Sequence, residues 1–582
     1  MDVAVTGLGV LCAIGNDSQS VLSALRRGET GVGRMRYLRS SHTELPVGEV
    51  KMSDEELMSL LGMKRDRPVS RTVLMGAVAV RQAMHDAGLT ASDLRGRRVA
   101  LLSGTTVGGM DVTERLFPLM ETDDAALQYL LRHDCGSSTE EIATLCGLDD
   151  CQVCTVSTAC SAAMNAIIVG CEMLRNDEAD VVIAGGTEAL SRFHLNGFNT
   201  LKILDHEVCR PFDRQRAGLN LGEGAAFLVL ERSSGDGRAK AFVGGYGNRC
   251  DAFHQTASSD EGQGAYLAMT DALLSAGLRP EDIHYVNAHG TGTPNNDASE
   301  SVALRRIFGE EMPPVSSTKS LTGHTTSASG AIEAVISILA MRHDLIPRNA
   351  RWQEADDACI TPSAGAEGVK IDNVLCNAFA FGGNDSALVL CRESRHGVTT
   401  TPRSHGEAQV IADVTIDSAE QLAACRDLIP PMEARRMGRL MKAATMSALT
   451  ALRKAGLQKP DAIITATANG MQENSEKFLK EISDGGEELL KPTLFMQSTH
   501  NTVGSAIAIR THCHGYNMTY TQGAASFDWA MRDARRLIAT GKARTVLVEC
   551  HDEATPLYRS FCKRLGMEEP REVWSRSVLL SC

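Results

Sequence analysis

The chain has 582 residues, 43% hydrophobic and 23% charged, ordinary proportions for a globular protein and enough for about two to four compact units. Its 59 basic and 72 acidic residues leave a net charge of −13, which argues against a nucleic-acid footprint but leaves room for a local basic patch toward an acidic partner. The 17 cysteines are scattered, no leader precedes the strand pattern of Met1–Gly9, and no apolar run approaches the ~20 residues of a membrane helix, so a soluble, cytoplasmic protein with reduced thiols is expected.

In chain order, Val3–Thr6 reads as a buried strand ending in glycines, and Ser18–Arg27 as a helix. Thr72–Ala87 has helical periodicity closed by Gly88, followed by a strand at Val99–Ser103 and a Gly-rich turn. The run Val153–Val156 leads through Ser157, Thr158 and Ala159 to Cys160 and the small-residue helix Ser161–Leu174. Further strands are predicted at Asp180–Gly185, Ala225–Leu230, Ala241–Gly244, His284–Ala288, Val374–Asn377 and Ser386–Cys391. Apolar strands alternating with helices imply an α/β layered fold with covered sheets and function at the strand ends.

Residues 393–408 are polar, threonine-rich and broken by Pro402, and read as a linker. Beyond the linker the chain repeats its own first part: Arg439–Leu457 lines up with Arg71–Leu89, Ala462–Gly470 with Ala100–Gly108, and Thr519–Cys550 with Cys154–Gly185. In that register Ala524-Ala525-Ser526 overlies Ala159-Cys160-Ser161, so the helix is retained and the thiol is gone. The division is therefore residues 1–245 and 246–392 as two halves of one unit, the 393–408 linker, a partial copy of the first half at 409–556, and a tail at 557–582.

Cys160 sits where a strand turns into a helix, so the unpaired N–H groups and positive dipole end of that helix are expected to lower its thiol pKa and to be able to hold an oxyanion. Position alone leaves a buried structural cysteine equally open. His289, in NAHGTGTPNND, is held at a strand end by a turn of small and hydroxylated residues. Lys319 and His324 lie on a second small-residue loop, VSSTKSLTGHTTSASGAIEA. In CNAFAFGGNDS the Gly382–Gly383 turn can offer a backbone N–H to an oxyanion while Phe381 covers a pocket. Cys151-x-x-Cys154 and the cluster His500, His512, Cys513 and His514 give no complete metal spacing, and no metal is expected.

Together these stretches resemble the elongating β-ketoacyl-acyl-carrier-protein synthases of the thiolase-like superfamily, in order over most of residues 1–392: VAVTGLGVLCAIGND, STACSAA, AGGTEAL, CRPFDRQRAGLNLGEGAA, NAHGTGTPNND, STKSLTGHTTSASGAIEA and NAFAFGGND. The resemblance implies a thiolase-like layered αβαβα fold with a C-terminal partial thiolase-like half-domain. It also implies decarboxylative Claisen condensation of an acyl chain with malonyl-carrier protein, in fatty acid or polyketide biosynthesis. Cys160 would be the acyl-accepting nucleophile, and His289 and His324 would bind the malonyl thioester carbonyl. Lys319 would order the second histidine, and the N–H groups of Cys160 and Phe381 would form the oxyanion hole. Phe381 would also be the gate, and Thr291 and Thr293 would hold the phosphopantetheine arm, which arrives on the acyl carrier protein, so no cofactor of its own is implied. Asp297, Glu300 and Glu333 match structural acids. The family implies a homodimer, with a heterodimer with a synthase-like subunit as the alternative. Asn384-Asp385 and Thr325–Ser327 depart from the family pattern near the reacting centre. The second copy carries no counterpart of either histidine and is expected to be a non-catalytic packing module. Two rival readings are a non-catalytic chain-length-factor-type subunit and a Cys-His hydrolase.

Overall fold

In the computed structural model, which describes residues 2–64, 67–235, 237–394, 406–424, 428–435 and 437–582, the apolar runs become strands. The first part contributes β1 (Val3–Leu11), β2 (Val99–Gly104), β3 (Gln152–Val156), β4 (Val181–Glu188) and β5 (Gly224–Arg232). The next adds β6 (Ala241–Cys250), β7 (Tyr285–Asn287), β8 (Val315–Ser316), a small separate pair β9 (Leu345–Ile346) and β10 (Ala366–Glu367), then β11 (Asn373–Ala380) and β12 (Asn384–Cys391). The last part supplies β13 (Gln409–Ile416), β14 (Ala462–Ala466), β15 (Tyr516–Tyr520), β16 (Thr545–Glu553) and β17 (Val573–Ser581). Apart from β9 and β10, these form one 15-stranded sheet in the order β13-β17-β16-β14-β15-β3-β2-β4-β5-β1-β6-β12-β11-β7-β8.

Around residues 1–392 the layers alternate. The helix Arg71–Asp86 covers one outer face, over β1 and β5, and the helix Gln263–Ala276 covers the other, over β6 and β12. Between the two halves of the sheet in this part lie Ala162–Arg175 and Ser329–Arg342, which touch each other and strands of both halves. Every residue from Ala162 to Leu174 and from Ser329 to Met341 is buried, which is why both segments are mostly apolar or small on every face, with Asn165, Glu172 and Glu333 as the polar exceptions. This is the layered thiolase-like architecture.

The second copy repeats the strand order β3-β2-β4-β5-β1 as β15-β14-β16-β17-β13, with each pairing in the same direction. Residues 557–582, read from sequence as a tail, are not one. They contain most of the helix Pro556–Arg564 and the whole of β17, which fills the place of β5 between β16 and β13. Most of the 393–408 linker (395–405) lies outside the described residues.

The two copies meet edge to edge, antiparallel, with Tyr520 opposite Val156. Ser157 N–H donates to the Thr519 carbonyl (3.0 Å) and Thr521 N–H to the Thr155 carbonyl (2.9 Å). The reciprocal pair marks a local two-fold relation between β3 and β15. It also corrects the register. The helices Ala162–Arg175 and Ser526–Ala539 are both 14 residues long, and the turns before them are Ala159–Ser161 and Gly523–Ala525. Ala524, not Ala525, therefore stands in the place of Cys160.

Candidate active site

Cys160 lies in the short turn between β3 and its helix, on a backbone bent by Ala159 at φ 51°. A non-glycine residue there is strained by about 1–3 kcal/mol, a cost the surrounding packing sustains. Gly104 permits that packing: a Cβ on it would stand 2.3 Å from the Ala163 nitrogen, so no other residue lets β2 approach the helix start so closely.

The three predicted reacting residues converge. His324 Nε2 is 3.1 Å from Cys160 Sγ, and the rings of His289 and His324 lie 5.3 Å apart and nearly perpendicular. All three are buried, at 5%, 2% and 2% exposure. The backbone N–H groups of Phe381 and Cys160 both face the sulfur and favour its thiolate. Burial outweighs them: despite the helix N-terminus and Lys319, the thiol is pushed up to about 12. The expected lowering is therefore overturned, because complete desolvation costs the anion more than the nearby dipoles return. Burial likewise holds His289 and His324 well below the usual imidazole range, with the Lys319 charge adding to the shift of each, so both are neutral.

Lys319 does not order the second histidine directly. Its Nζ lies 3.3 Å from His289 Nδ1, donates to the His289 carbonyl (2.6 Å) and is paired with Glu333. The cause is topological: β7 and β8 are parallel neighbours, with Val286 opposite Val315, so the Lys319 loop rises beside the His289 loop. An ammonium has only donors, so His289 Nδ1 is the acceptor and Nε2 carries the proton. The second histidine is held instead by Ser329, whose Oγ is 2.9 Å from His324 Nδ1.

The other acids brace the loops that carry the site. Glu300 accepts from the N–H groups of His289 and Gly290, Asp297 from those of Phe212 and Gly292, and Glu333 is pushed up to about 7 by burial against the opposing pull of Lys319. Asp385 is buried at the start of the helix Gln263–Ala276, and burial with Asp251 nearby raises its carboxyl well above the usual range.

Two chambers, with about 1000 and 1090 Å³ of free space, meet at Cys160, Phe198 and Phe381. Phe381 stacks on Phe198 (centroids 5.6 Å apart, planes 18° apart) and forms the partition. The outer chamber holds His289, His324, Thr291 and Thr293, the two threonine hydroxyls 2.9 Å apart, and reaches the surface at Pro294 and Asn295. The inner chamber is lined by Phe193, Phe198, Thr326 and Met110 of the first part, and by Asn469, Phe495, His500 and Tyr558 of the second copy. His500 and His514, grouped in the sequence, are apart here. His500 lines the chamber and His514 bonds the Cys250 carbonyl, and no metal-holding cluster occurs among the described residues.

Sequence reading missed Phe198, His194 and the whole second-copy wall. Glu188 could have been found from its position at the end of the strand AGGTE. It accepts from Thr105 and Thr106 on one loop and from Ser327 on another, tying the two together beside the site, and Asp552 accepts from Thr467, Ala468 and Asn469 of a single loop in the second copy.

The model of the β-ketoacyl synthase N-terminal domain matches residues 1–235, that of the C-terminal domain residues 240–353, and a second N-terminal-domain model residues 411–574. The 3-oxoacyl-[acyl-carrier-protein] synthase 2 of Coxiella burnetii is 33% identical over 410 residues, covering 67% of this chain and 98% of that protein. Among solved structures, the ishigamide ketosynthase/chain length factor is 31% identical with a TM-score of 0.63, covering 68% of this chain and 99% of the other. The PfaC keto synthase-chain length factor is 17% identical but has a TM-score of 0.80, covering 100% of this chain and 78% of its own, a likeness of fold. With a complete synthase unit followed by a second N-terminal half, the chain belongs to the β-ketoacyl synthase family of acyltransferases, the condensing enzymes of fatty acid and polyketide synthesis.

Proposed function

We propose that Cys160 accepts an acyl chain from a carrier-protein thioester and that His289 and His324 support decarboxylation of a malonyl-carrier protein, giving a 3-oxoacyl-carrier protein. The observation that carries this is the approach of a neutral His324 Nε2 to within 3.1 Å of Cys160 Sγ, beside a His289 whose tautomer Lys319 fixes. A thiol pushed up to about 12 is protonated before reaction, so its proton passes to His324 as sulfur attacks the thioester carbonyl. The oxyanion is held by the N–H groups of Cys160 and Phe381, and the carrier thiol leaves with the proton returned by His324.

In the second half-reaction the malonyl C–C bond breaks, CO2 departs, and the electron pair becomes an enolate. His289 Nε2–H donates to the enolate oxygen, and His324 joins it. Ser329 Oγ serves both duties of His324, since a hydroxyl can accept from Nδ1–H while Nε2 is the base and donate to Nδ1 while Nε2–H is the donor. The enolate carbon then attacks the Cys160 thioester and expels the thiolate. Thr291 and Thr293 hold the phosphopantetheine arm in the outer chamber. This chemistry needs no cofactor of its own, and the work is placed in the cytoplasm.

The second copy, lacking counterparts of Cys160, His289 and His324, takes the part of a chain-length-factor-like subunit supplied in cis: it occupies the β3 edge and walls the acyl chamber. Beyond the aromatic neck, that wall is polar and uncharged in character, with Asn469 against Tyr558 (3.4 Å) and a His500 whose Nδ1 is buried without a partner. Mass spectrometry after incubation with acyl- and malonyl-carrier protein tests the reading. Expected are an adduct on Cys160, lengthening with CO2 release, and neither in Cys160→Ala. Absence of any wild-type adduct overturns the mechanism.

A further inference from the structure

We infer that Asn501, a side chain of the second copy, is a positioning residue for the Phe381 turn, so that acyl transfer at Cys160 depends on it. The inference rests on the reading of Cys160 as nucleophile and Phe381 as oxyanion donor and gate.

The turn is gripped from two sides. Its own unit supplies the Gln255 carbonyl, which accepts from Gly382 N–H (2.8 Å), and the Asp251 N–H, which donates to the Gly383 carbonyl (2.8 Å). The second copy supplies Asn501, whose Nδ2 donates to the Phe381 carbonyl (2.8 Å) and to Asn384 Oδ1 (2.7 Å). Asn384 in turn donates to the Asn517 carbonyl and Oδ1, each at 3.1 Å. Asn501 is 1% exposed and its Oδ1 has no partner, so the two bonds from Nδ2 are the polar contacts that fix its amide. The fit is close: Gly382 has φ 84°, and a Cβ on it would stand 2.7 Å from Asn501 Nδ2.

Both ends of the peptide linking Phe381 to Gly382 are thus bound, the carbonyl by the second copy and the N–H by the first. With that plane fixed, the Phe381 N–H stays aimed at the sulfur and its ring stays on Phe198. The Asn384 that departs from the family pattern is the other acceptor of the same amide, so the departure belongs to this cross-copy contact.

The two half-reactions separate the roles, because acyl transfer uses the Phe381 N–H and uncoupled decarboxylation uses the histidines. In full-length Asn501→Ala, single-turnover acylation of Cys160 by acyl-carrier protein is expected to fall about tenfold or more, while CO2 release from malonyl-carrier protein without an acyl donor stays level or rises. Asn501→Ser, which keeps one donor, is expected to lie between, and it carries the test if the alanine variant fails to unfold cooperatively. Acylation within twofold of wild type, or equal falls in both steps, would overturn the inference. Wild-type protein that forms no Cys160 adduct would instead overturn the reading beneath it.

Discussion

The turn Ala159–Ser161 and its copy Gly523–Ala525 share a backbone and differ in what covers them. Each comes after a five-residue strand, opens with φ 51° and leads into a 14-residue helix. Cys160 is buried beneath the loops of His289, His324 and Phe381, whereas Ala524 is exposed. The first copy is joined to the residues that make β6–β12, and the described residues of the second copy show five strands with no counterpart of these. Chemistry in this fold therefore comes from the cover, and the strand-to-helix turn alone provides a scaffold. The second turn's own half keeps the shape, which completes a sheet edge and a chamber wall.

The largest test of this contrast moves the sulfur. Cys160→Ala is expected to reduce condensation by at least about a thousandfold, and Cys160→Ala with Ala524→Cys to restore none of it; any recovered product would break the comparison. Removing residues 409–582 exposes the β3 edge and opens the inner chamber, so soluble yield and turnover should both collapse. A truncated protein with unchanged solubility, oligomeric state and turnover would show the copy to be dispensable. His289→Ala should lower decarboxylation about a hundredfold or more while leaving Cys160 acylation less affected, read as CO2 against adduct.

A pH series sharpens the contrast further. Burial raises the Cys160 thiol to about 12, so its thiolate fraction, and its rate of alkylation by iodoacetamide, should climb without levelling through pH 10. A thiol placed at exposed Ala524 should level off near the ordinary range of about 8–9 and react about tenfold faster at neutral pH. A plateau for Cys160 near pH 7 would mean that the helix terminus prevails after all. The smallest effect is Thr291→Ala, expected to raise KM for the malonyl-carrier protein roughly threefold to tenfold with kcat little changed.

The strands, the duplication and the reacting residues were legible in the amino-acid order, because each is written locally. Val181–Glu188 and Gly224–Arg232 are apolar runs that only a covered sheet can bury, and Cys160, His289, His324 and Phe381 stand in short stretches whose neighbours carry the signal. The rest was settled by tertiary packing. Lys319 went to His289 because parallel pairing of β7 and β8 brings distant loops together, whereas the family resemblance pointed to His324. Val573–Ser581 became a strand because it pairs with β16 on one side and β13 on the other, and β13 lies more than 150 residues earlier in the chain. Cys160 is a high-pKa thiol because burial, set by loops more than a hundred residues away, outweighs the helix terminus that its own neighbours create. Asn501 has no local mark at all, since its two bonds reach residues more than a hundred positions earlier.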